Sequence, residues 1–302
     1  MEENMNRILN FGSLNIDYVY KVDHMTFCGE TQMSESRHTY SGGKGLNQSI
    51  ALARAGAEVY HAGCIGTEGE FLIRELADAG VDVSGIRILE DIPTGHTIIQ
   101  NDRNGDNSII LYGGANQSVT KEQVKDTLSR FESGDWIVLQ NEISEVPYIM
   151  EKAHEKGMCI VFNPSPVNES IKKHPLDYVD WFLLNEIEAS FLSDADSDNA
   201  SELIRSLSQS HPTAKIVLTI GSKGAVCFDG SVILEQEAFP VKAVDTTAAG
   251  DTFTGYFISE IIRGSAVKEA LKIAACAASI AVTIPGAAPS IPLAFDCFSK
   301  LL

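Results

Sequence analysis

The chain has 302 residues, 44% hydrophobic and 21% charged, a composition that supports a sizeable buried core. Its formal net charge of -18 argues against nucleic acid or an anionic membrane as partner, since no surplus of Lys and Arg exists to neutralise phosphates in quantity. Any phosphate-handling site is therefore local.

Six cysteines (Cys28, Cys64, Cys159, Cys227, Cys276, Cys297) are scattered singly in apolar stretches, without zinc-site spacing or disulfide-scaffold density, and read as reduced, mostly buried thiols. The first seven residues carry acidic groups where a signal peptide wants basic ones, and the Ala-rich run 273–284 stops at Pro285, short of a membrane span. A cytoplasmic location is expected.

Ile8-Leu9-Asn10-Phe11-Gly12 reads as a buried first strand ending in the polar loop Gly12-Ser13-Leu14-Asn15-Ile16-Asp17. In open α/β sheets ligands collect at that edge. Residues 19–40 show short strands with polar and Gly breaks, and Ser41-Gly42-Gly43-Lys44-Gly45-Leu46-Asn47-Gln48 leads into an Ala/Leu-rich helix through Ala55, turned by Gly56. A strand over 58–64 and a helix over 68–79 follow, then a second irregular β region over 83–112. Within it, Thr97-Ile98-Ile99-Gln100 and Ser108-Ile109-Ile110-Leu111 flank an Asn-Gly step and predict a hairpin.

Four more strands are expected at 136–140, 159–163, 181–184 and 216–220, each beside a helical stretch. This alternation predicts an α/β fold with a mostly parallel central sheet covered by helices on both faces. Segments 17–40 and 88–112 break the rhythm; they read either as a small accessory β-sheet forming a lid over the ligand edge or as ordinary surface hairpins. Residues 193–201 read as a solvated acidic loop.

The chemistry concentrates at Asp245-Thr246-Thr247-Ala248-Ala249-Gly250-Asp251, just before an apolar pattern of helical period. Small residues at a helix N-terminus present unpaired backbone N-H groups and a partial positive charge, which favour phosphate oxygens. Asp251 there is either a plain helix cap or a general base for a hydroxyl that attacks the phosphate.

Gly42-Gly43-Lys44-Gly45 fails the Walker pattern, because His38 stands where the first Gly belongs and Gly45 where Ser or Thr belongs. It is either a Gly-rich helix start or a close approach to a small hydroxylated ligand, with Lys44 and Asn47 as polar reach. Asn185-Glu186-Ile187-Glu188 is either a cap or a water-mediated magnesium site. Thr219-Ile220-Gly221-Ser222-Lys223-Gly224 is either a hairpin turn or a turn passing close to a nucleotide.

Taken in order, these motifs resemble the ribokinase-like (PfkB-type) carbohydrate kinases, together with Leu139-Gln140-Asn141-Glu142, Asn163-Pro164-Ser165-Pro166 and Gly286-Ala287-Ala288-Pro289-Ser290-Ile291-Pro292. The resemblance spans nearly the whole chain, 1–302, as one kinase domain with its lid. It implies ATP-dependent phosphorylation of a sugar's primary hydroxyl, ribose foremost, with fructose, 2-keto-3-deoxygluconate or a nucleoside as alternative acceptors. Asp251 would be the base, and the N-H groups of Ala248, Ala249, Gly250 and Asp251 the anion hole.

The sugar would be held by Asn15, Asp17, Gly43, Lys44, Asn47 and Glu142. ATP would lie along Asn185, Thr219, Gly221, Ser222, Gly224 and Gly250, with Mg2+ near Asn185 and Glu188. A monovalent cation, K+, would be held by Asp245, Thr247, Ala281, Ile284, Gly286 and Ser290, mostly through backbone carbonyls. The resemblance also implies a homodimer clasped through the lids, consistent with protection of their edge strands. Four residues depart from the family pattern: His96 and Thr97, expected to bring a ring and a hydroxyl to the roof of the sugar pocket; Leu46; and Ala275, an apolar contact for adenine.

Overall fold

Strands that read as unbroken apolar runs need cover on both faces, and the helices supply it. Residues 137–139, 160–162, 182–184 and 216–218 are all buried, at 2% exposure or less. The computed structural model describes residues 6–193, 197 and 199–301; four residues of the expected acidic loop, 194–196 and 198, lie outside them, as do 1–5.

In chain order the strands are β1 (Ile8–Phe11), β2 (Asn15–Lys21), β3 (Ser36–Gly42), β4 (Val59–Gly66), β5 (Asp82–Leu89), β6 (Gly95–Asn101), β7 (Asn107–Tyr112), β8 (Trp136–Gln140), β9 (Cys159–Asn163), β10 (Trp181–Asn185), β11 (Lys215–Thr219), β12 (Ala225–Phe228) and β13 (Ile233–Gln236). The α-helices are α1 (Lys44–Arg54), α2 (Glu70–Asp78), α3 (Lys121–Leu128), α4 (Val146–Lys156), α5 (Glu186–Ser193), α6 (Ala200–Ser210), α7 (Ala249–Ile262), α8 (Val267–Ala281) and α9 (Ala294–Leu301).

Among the described residues the large sheet runs β13-β12-β11-β10-β9-β8-β1-β4-β5. It is parallel from β5 through β11 and antiparallel only at β12 and β13. Leu46 and Ile50 of α1, Phe257 of α7 and Ala274 of α8 pack on one face with Val138. Val124 of α3, Ile149 of α4 and Leu203 of α6 pack on the other with Ile137 and Leu139. The chain lays β4 and β5 to one side of β1 and β8 onward to the other, so the direction of winding reverses between β1 and β8. Loops leaving those two strands diverge there and open a crevice at their carboxyl ends.

The small sheet has the order β3-β2-β6-β7 among the described residues. Its hairpin pairs Thr97 with Leu111 and Ile98 with Ile110, as the Asn-Gly step predicts. Residues 88–89, expected in the lid, instead end β5 in the large sheet, where Ile88 and Leu89 pair with Ile65 and Gly66. The second lid segment begins at Gly95. As an edge strand with every residue exposed or partly so, β5 lacks the apolar run that marks its neighbours. The four-residue strands β12 and β13 were likewise not expected.

Helices α1 and α7 cross at backbone contact. A Cβ on Gly255 would stand 2.4 Å from Ala51 Cβ and 2.7 Å from Leu52 N. Glycine there lets the two helices close up, which brings the start of α1 against the start of α7 beside the crevice.

Candidate active site

The site grows from the loops leaving β1 and β8. A Cβ on Gly45 would stand 2.4 Å from Ser13 N, so glycine is what allows the first loop to touch the start of α1, and Gly43 takes the left-handed φ of 94° at its cap. Glu142, just past β8, accepts through Oε2 from the Ser13 hydroxyl and from Lys44 N at 3.1 Å. Burial pushes the Glu142 carboxyl above its ordinary value, against the pull of Lys44. Burial lowers the Lys44 ammonium, but the facing carboxylates of Asp251, Glu142 and Glu188 outweigh it and leave Lys44 above its ordinary value.

From the small sheet, Asn15 and Asp17 enter on β2. Asn116 Nδ2 donates to Asn15 Oδ1 at 2.7 Å, and Thr97 Oγ1 donates to Asp17 Oδ1 at 2.5 Å. Burial raises the Asp17 carboxyl, opposed by that hydroxyl. A Cβ on Gly42 would fall 2.0 Å from Asp17 Oδ2, so the neighbouring strand must carry glycine opposite. Asn15, Asp17, Gly43, Lys44, Asn47, Glu142 and Asp251 all line one cavity of about 810 Å³, roofed by Thr97 and other residues of the small sheet. The Thr97 hydroxyl is spent on Asp17, and His96, its Nδ1 bonded to Thr94 O at 3.1 Å, does not line the cavity.

At the other wall is the start of α7. Ala248 caps it in the left-handed conformation, φ 60° and ψ 7°, which turns the chain so that the first N-H groups of the helix face outward. Asp251 is buried, at 7% exposure, and each carboxylate oxygen takes one amide: Asn47 Nδ2 reaches Oδ2 at 3.1 Å and Gln48 Nε2 reaches Oδ1 at 2.9 Å. No atom lies within 4 Å of a Cβ built on Gly250, which leaves that side open for a ligand.

Ala249 and Gly250 line a second cavity, about 500 Å³, on the far side of the same helix end. Thr219, Gly221, Ser222 and Gly224 give it a turn of small residues, and Phe239, Val241, Ala275 and Val282 give it apolar walls. That is the shape for a flat heterocycle with phosphates directed at a helix N-terminus. Ala275, expected as an apolar contact for adenine, is one of these walls.

The metal candidates divide. Asn185 ends β10 opposite Thr219 of β11, and Glu188 lies one turn on, outside both cavities. Glu188 Oε2 accepts from Asn185 N at 3.0 Å and Oε1 from Asn185 Nδ2 at 3.1 Å, while Asn185 Oδ1 accepts from Glu188 N at 2.9 Å, a reciprocal cap. Among the described residues no group of three or more His, Cys, Asp or Glu is arranged to hold a metal. One carboxylate without a cage suits a hydrated Mg2+ carried by phosphates, so the residues present fit that ion.

Asp245 Oδ1 accepts from Thr247 N and Oγ1, and Oδ2 accepts from Gly286 N at 2.8 Å. Burial pushes this carboxyl up, but those bonds outweigh it and hold it below its ordinary value. Asp245, Thr247 and Gly286 reach the first cavity wall; Ala281, Ile284 and Ser290 do not, and the Ser290 hydroxyl is turned to Ala287 O at 2.7 Å. Of the six residues expected to hold a monovalent cation, three share this cavity wall and Asp245 brings the one charged oxygen donor among them.

Four residues with clear geometric roles were not singled out in sequence: Ser13, Gln48, Asn116 and Gln140. Three of them sit inside or beside recognised motifs, where their polarity amid buried apolar neighbours is the available signal.

A buried carboxylate at a helix end that faces one cavity, while the start of the same helix borders another, suits a phosphotransferase of α/β fold. Residues 5–294 match the family described as pfkB family carbohydrate kinase, and the chain belongs to that family of ATP-dependent sugar kinases. It is 32% identical to the ribokinase of Haemophilus influenzae over 93% of this chain and 94% of that one. It is 34% identical to the ribokinase of Schizosaccharomyces pombe, covering 95% of each. Among solved structures, Arabidopsis thaliana ribokinase complexed with ribose and ATP superposes with a TM-score of 0.89 at 28% identity, over 98% of both chains.

Proposed function

We propose that this protein transfers the terminal phosphoryl group of ATP to the primary hydroxyl of D-ribose, breaking the bond from the terminal phosphorus to the bridging oxygen and giving ribose 5-phosphate and ADP. The observation that carries this reading is the position of Asp251, which faces the cavity lined by Asn15, Asp17 and Lys44 from a helix whose N-terminus borders the apolar chamber. The ribokinase relatives, and the solved ribokinase with ribose and ATP, support ribose as the acceptor.

The polar cavity offers a small polyol both acceptors, at Asp17 and Glu142, and donors, at Asn15 and Lys44, in place of water. Asp251 takes the proton as the hydroxyl oxygen attacks, and the N-H groups of Ala248 to Asp251 hold the equatorial oxygens of the migrating group. ATP lies along Thr219, Gly221, Ser222, Gly224 and Gly250, with Asn185 at its phosphate end. When bound, Mg2+ at Glu188 and K+ at the Asp245 loop supply charge neutralisation. The small sheet serves as lid over the acceptor.

The lid edge supports a homodimer: Ile109, Ile110, Leu111 and Tyr112 of β7 are 46–62% exposed, an apolar edge that a second copy would cover. Sedimentation equilibrium should give twice the chain mass, and a monomer at micromolar concentration overturns this part. All six cysteines are free and no helix among the described residues is long and apolar enough to cross a membrane, which supports a cytoplasmic enzyme.

The test is ATP consumption with ribose, deoxyribose, fructose, tagatose, 2-keto-3-deoxygluconate and common nucleosides, with and without K+. Ribose should give the highest kcat/KM. Preference for another acceptor by about tenfold, or 1.4 kcal/mol of transition-state binding, overturns the assignment.

A further inference from the structure

Behind Asp251 lies a chain of buried amides that reaches the central sheet. Asn10 on β1 and Gln140 on β8 come from the two strands that flank the reversal of winding, and both are fully buried, as is Gln48 on α1. Gln140 Nε2 donates in two directions: to Asn10 Oδ1 at 3.1 Å and to Gln48 Oε1 at 2.7 Å. Asn10 Nδ2 in turn donates to Gly45 O at 2.8 Å, and Gln48 Nε2 to Asp251 Oδ1 at 2.9 Å. A Cβ on Gly12 would stand 2.4 Å from Gln140 Oε1, so the loop leaves room for this amide by carrying glycine.

The direction of every bond follows from the two ends. A backbone carbonyl only accepts, so Asn10 must turn its nitrogen to Gly45 and its oxygen to Gln140. Gln140 then answers with its nitrogen, which obliges Gln48 to turn its oxygen to Gln140 and its own nitrogen to Asp251. An ionised carboxylate also only accepts, so every donor along the chain meets an acceptor when Asp251 is charged, while Gln140 Oε1, facing Gly12, is left without a partner. A proton on Oδ1 would face the Gln48 N-H instead.

We propose that Gln140 and Gln48 are positioning residues for proton transfer: Gln140 fixes the polarity of the Gln48 amide, and Gln48 holds Asp251 oriented and ready to accept the hydroxyl proton. This rests on the reading of Asp251 as the base. Neither glutamine lines the acceptor cavity, so neither touches substrate.

The test uses the full-length enzyme with Gln140→Glu, Gln140→Met, Gln48→Met and Asp251→Asn, each measured for kcat, acceptor KM and acceptor affinity by calorimetry, with kcat taken per binding-competent site. Gln140→Glu, assayed toward the alkaline end of the activity range so that residue 140 is ionised, has only acceptors to offer, and Gln48 then turns its nitrogen toward residue 140 and its oxygen toward Asp251. This variant should lose on the order of 10- to 100-fold in kcat with acceptor affinity unchanged. Gln48→Met should lose a similar factor, and Gln140→Met, which leaves Gln48 free to keep its nitrogen on Asp251, less than either.

Gln48→Met with wild-type kcat overturns the proposal, as does a Gln140→Glu protein that binds sugar and turns over normally. If Gln140→Glu does not fold, Gln48→Met and Gln140→Met still decide it, because a merely structural role predicts equal loss in both. Retained turnover in Asp251→Asn overturns the base itself. Loss in Asp251→Asn with none in the glutamine variants overturns only the relay.

Discussion

A single side chain joins the acceptor cavity to the carboxylate at its wall: Asn47 donates through Nδ2 to Asp251 Oδ2 at 3.1 Å, while Asn47 Oδ1 is buried with no hydrogen-bond partner. A buried carbonyl oxygen left unpaired costs about 1–3 kcal/mol, so a ligand hydroxyl that donates to it is favoured by a similar amount. On the proposed function, binding of the acceptor and orientation of the base share this one amide.

Asn47→Leu removes both halves of that arrangement. Acceptor KM should rise and kcat should fall together, lowering kcat/KM by about 10²-fold, the worth of one hydrogen bond to a charged group plus one to the ligand. Steady-state kinetics with the acceptor varied would read this. An unchanged KM would detach Asn47 from the sugar.

Asp251→Asn keeps the shape and loses the proton acceptor. Turnover should drop by about 10²- to 10⁴-fold, the usual contribution of a general base, while acceptor affinity measured by calorimetry stays near that of the native enzyme. The new amide also meets two N-H donors, from Asn47 and Gln48, and must turn one of its own N-H groups against them. A modest fall in melting temperature should accompany the kinetic loss. Substantial residual turnover would remove Asp251 from the role of base.

What could be read from the sequence was the local part of this design. Runs such as Ile137-Val138-Leu139 announce strands covered on both faces, and the small residues before Asp251 announce a helix end fit for phosphate. The hairpin that carries Thr97 is announced by one Asn-Gly step between two apolar runs. What could not be read depends on topology. Gln140 and Gln48 are 92 residues apart and meet only because β8 lies beside β1, under the start of α1. In sequence the Thr97 hydroxyl is free to reach a ligand; in the fold β6 pairs with β2, which presents Asp17 to that hydroxyl. The edge strand β5 reads only as the start of an irregular β region, because half-exposed strands carry no apolar run, and its residues 88–89 read as part of the lid.

Gly255 offers a test of how far the site depends on helix packing. It lies one turn beyond Asp251, and Gly255→Ala would place a Cβ 2.4 Å from Ala51 Cβ and 2.7 Å from the Leu52 backbone. Backbone cannot rotate aside, so α1 and α7 must part. Overpacking of this kind costs about 1–3 kcal/mol, read as a lower midpoint in urea unfolding. Because Asn47 and Gln48 ride on α1 and Asp251 on α7, kcat should also fall, by on the order of tenfold or more for a displacement below 1 Å. Stability loss with full kcat in the folded fraction would show that the helices separate without disturbing the carboxylate.

The last prediction concerns pH. His61 on β4 is fully buried, its Nδ1 sharing a hydrogen bond with Ser49 Oγ of α1 at 2.8 Å, and burial pushes its imidazole down to about 3. In the unfolded chain the same ring titrates near 6.5. Between those values the unfolded state binds a proton that the folded state refuses, so stability is complete above about pH 6.5 and is lost as pH falls toward 3. The slope approaches about 1.4 kcal/mol per pH unit, and between pH 7.5 and pH 5 this one ring removes about 2 kcal/mol. Carboxylates titrate in the same acid range, which is why the comparison must be between variants. His61→Gln carries no proton to gain, so it should begin less stable at pH 7.5 and decline less on acidification. Urea midpoints at the two pH values, for both proteins, decide the matter: parallel declines would mean that His61 finds its proton inside the fold as easily as outside it.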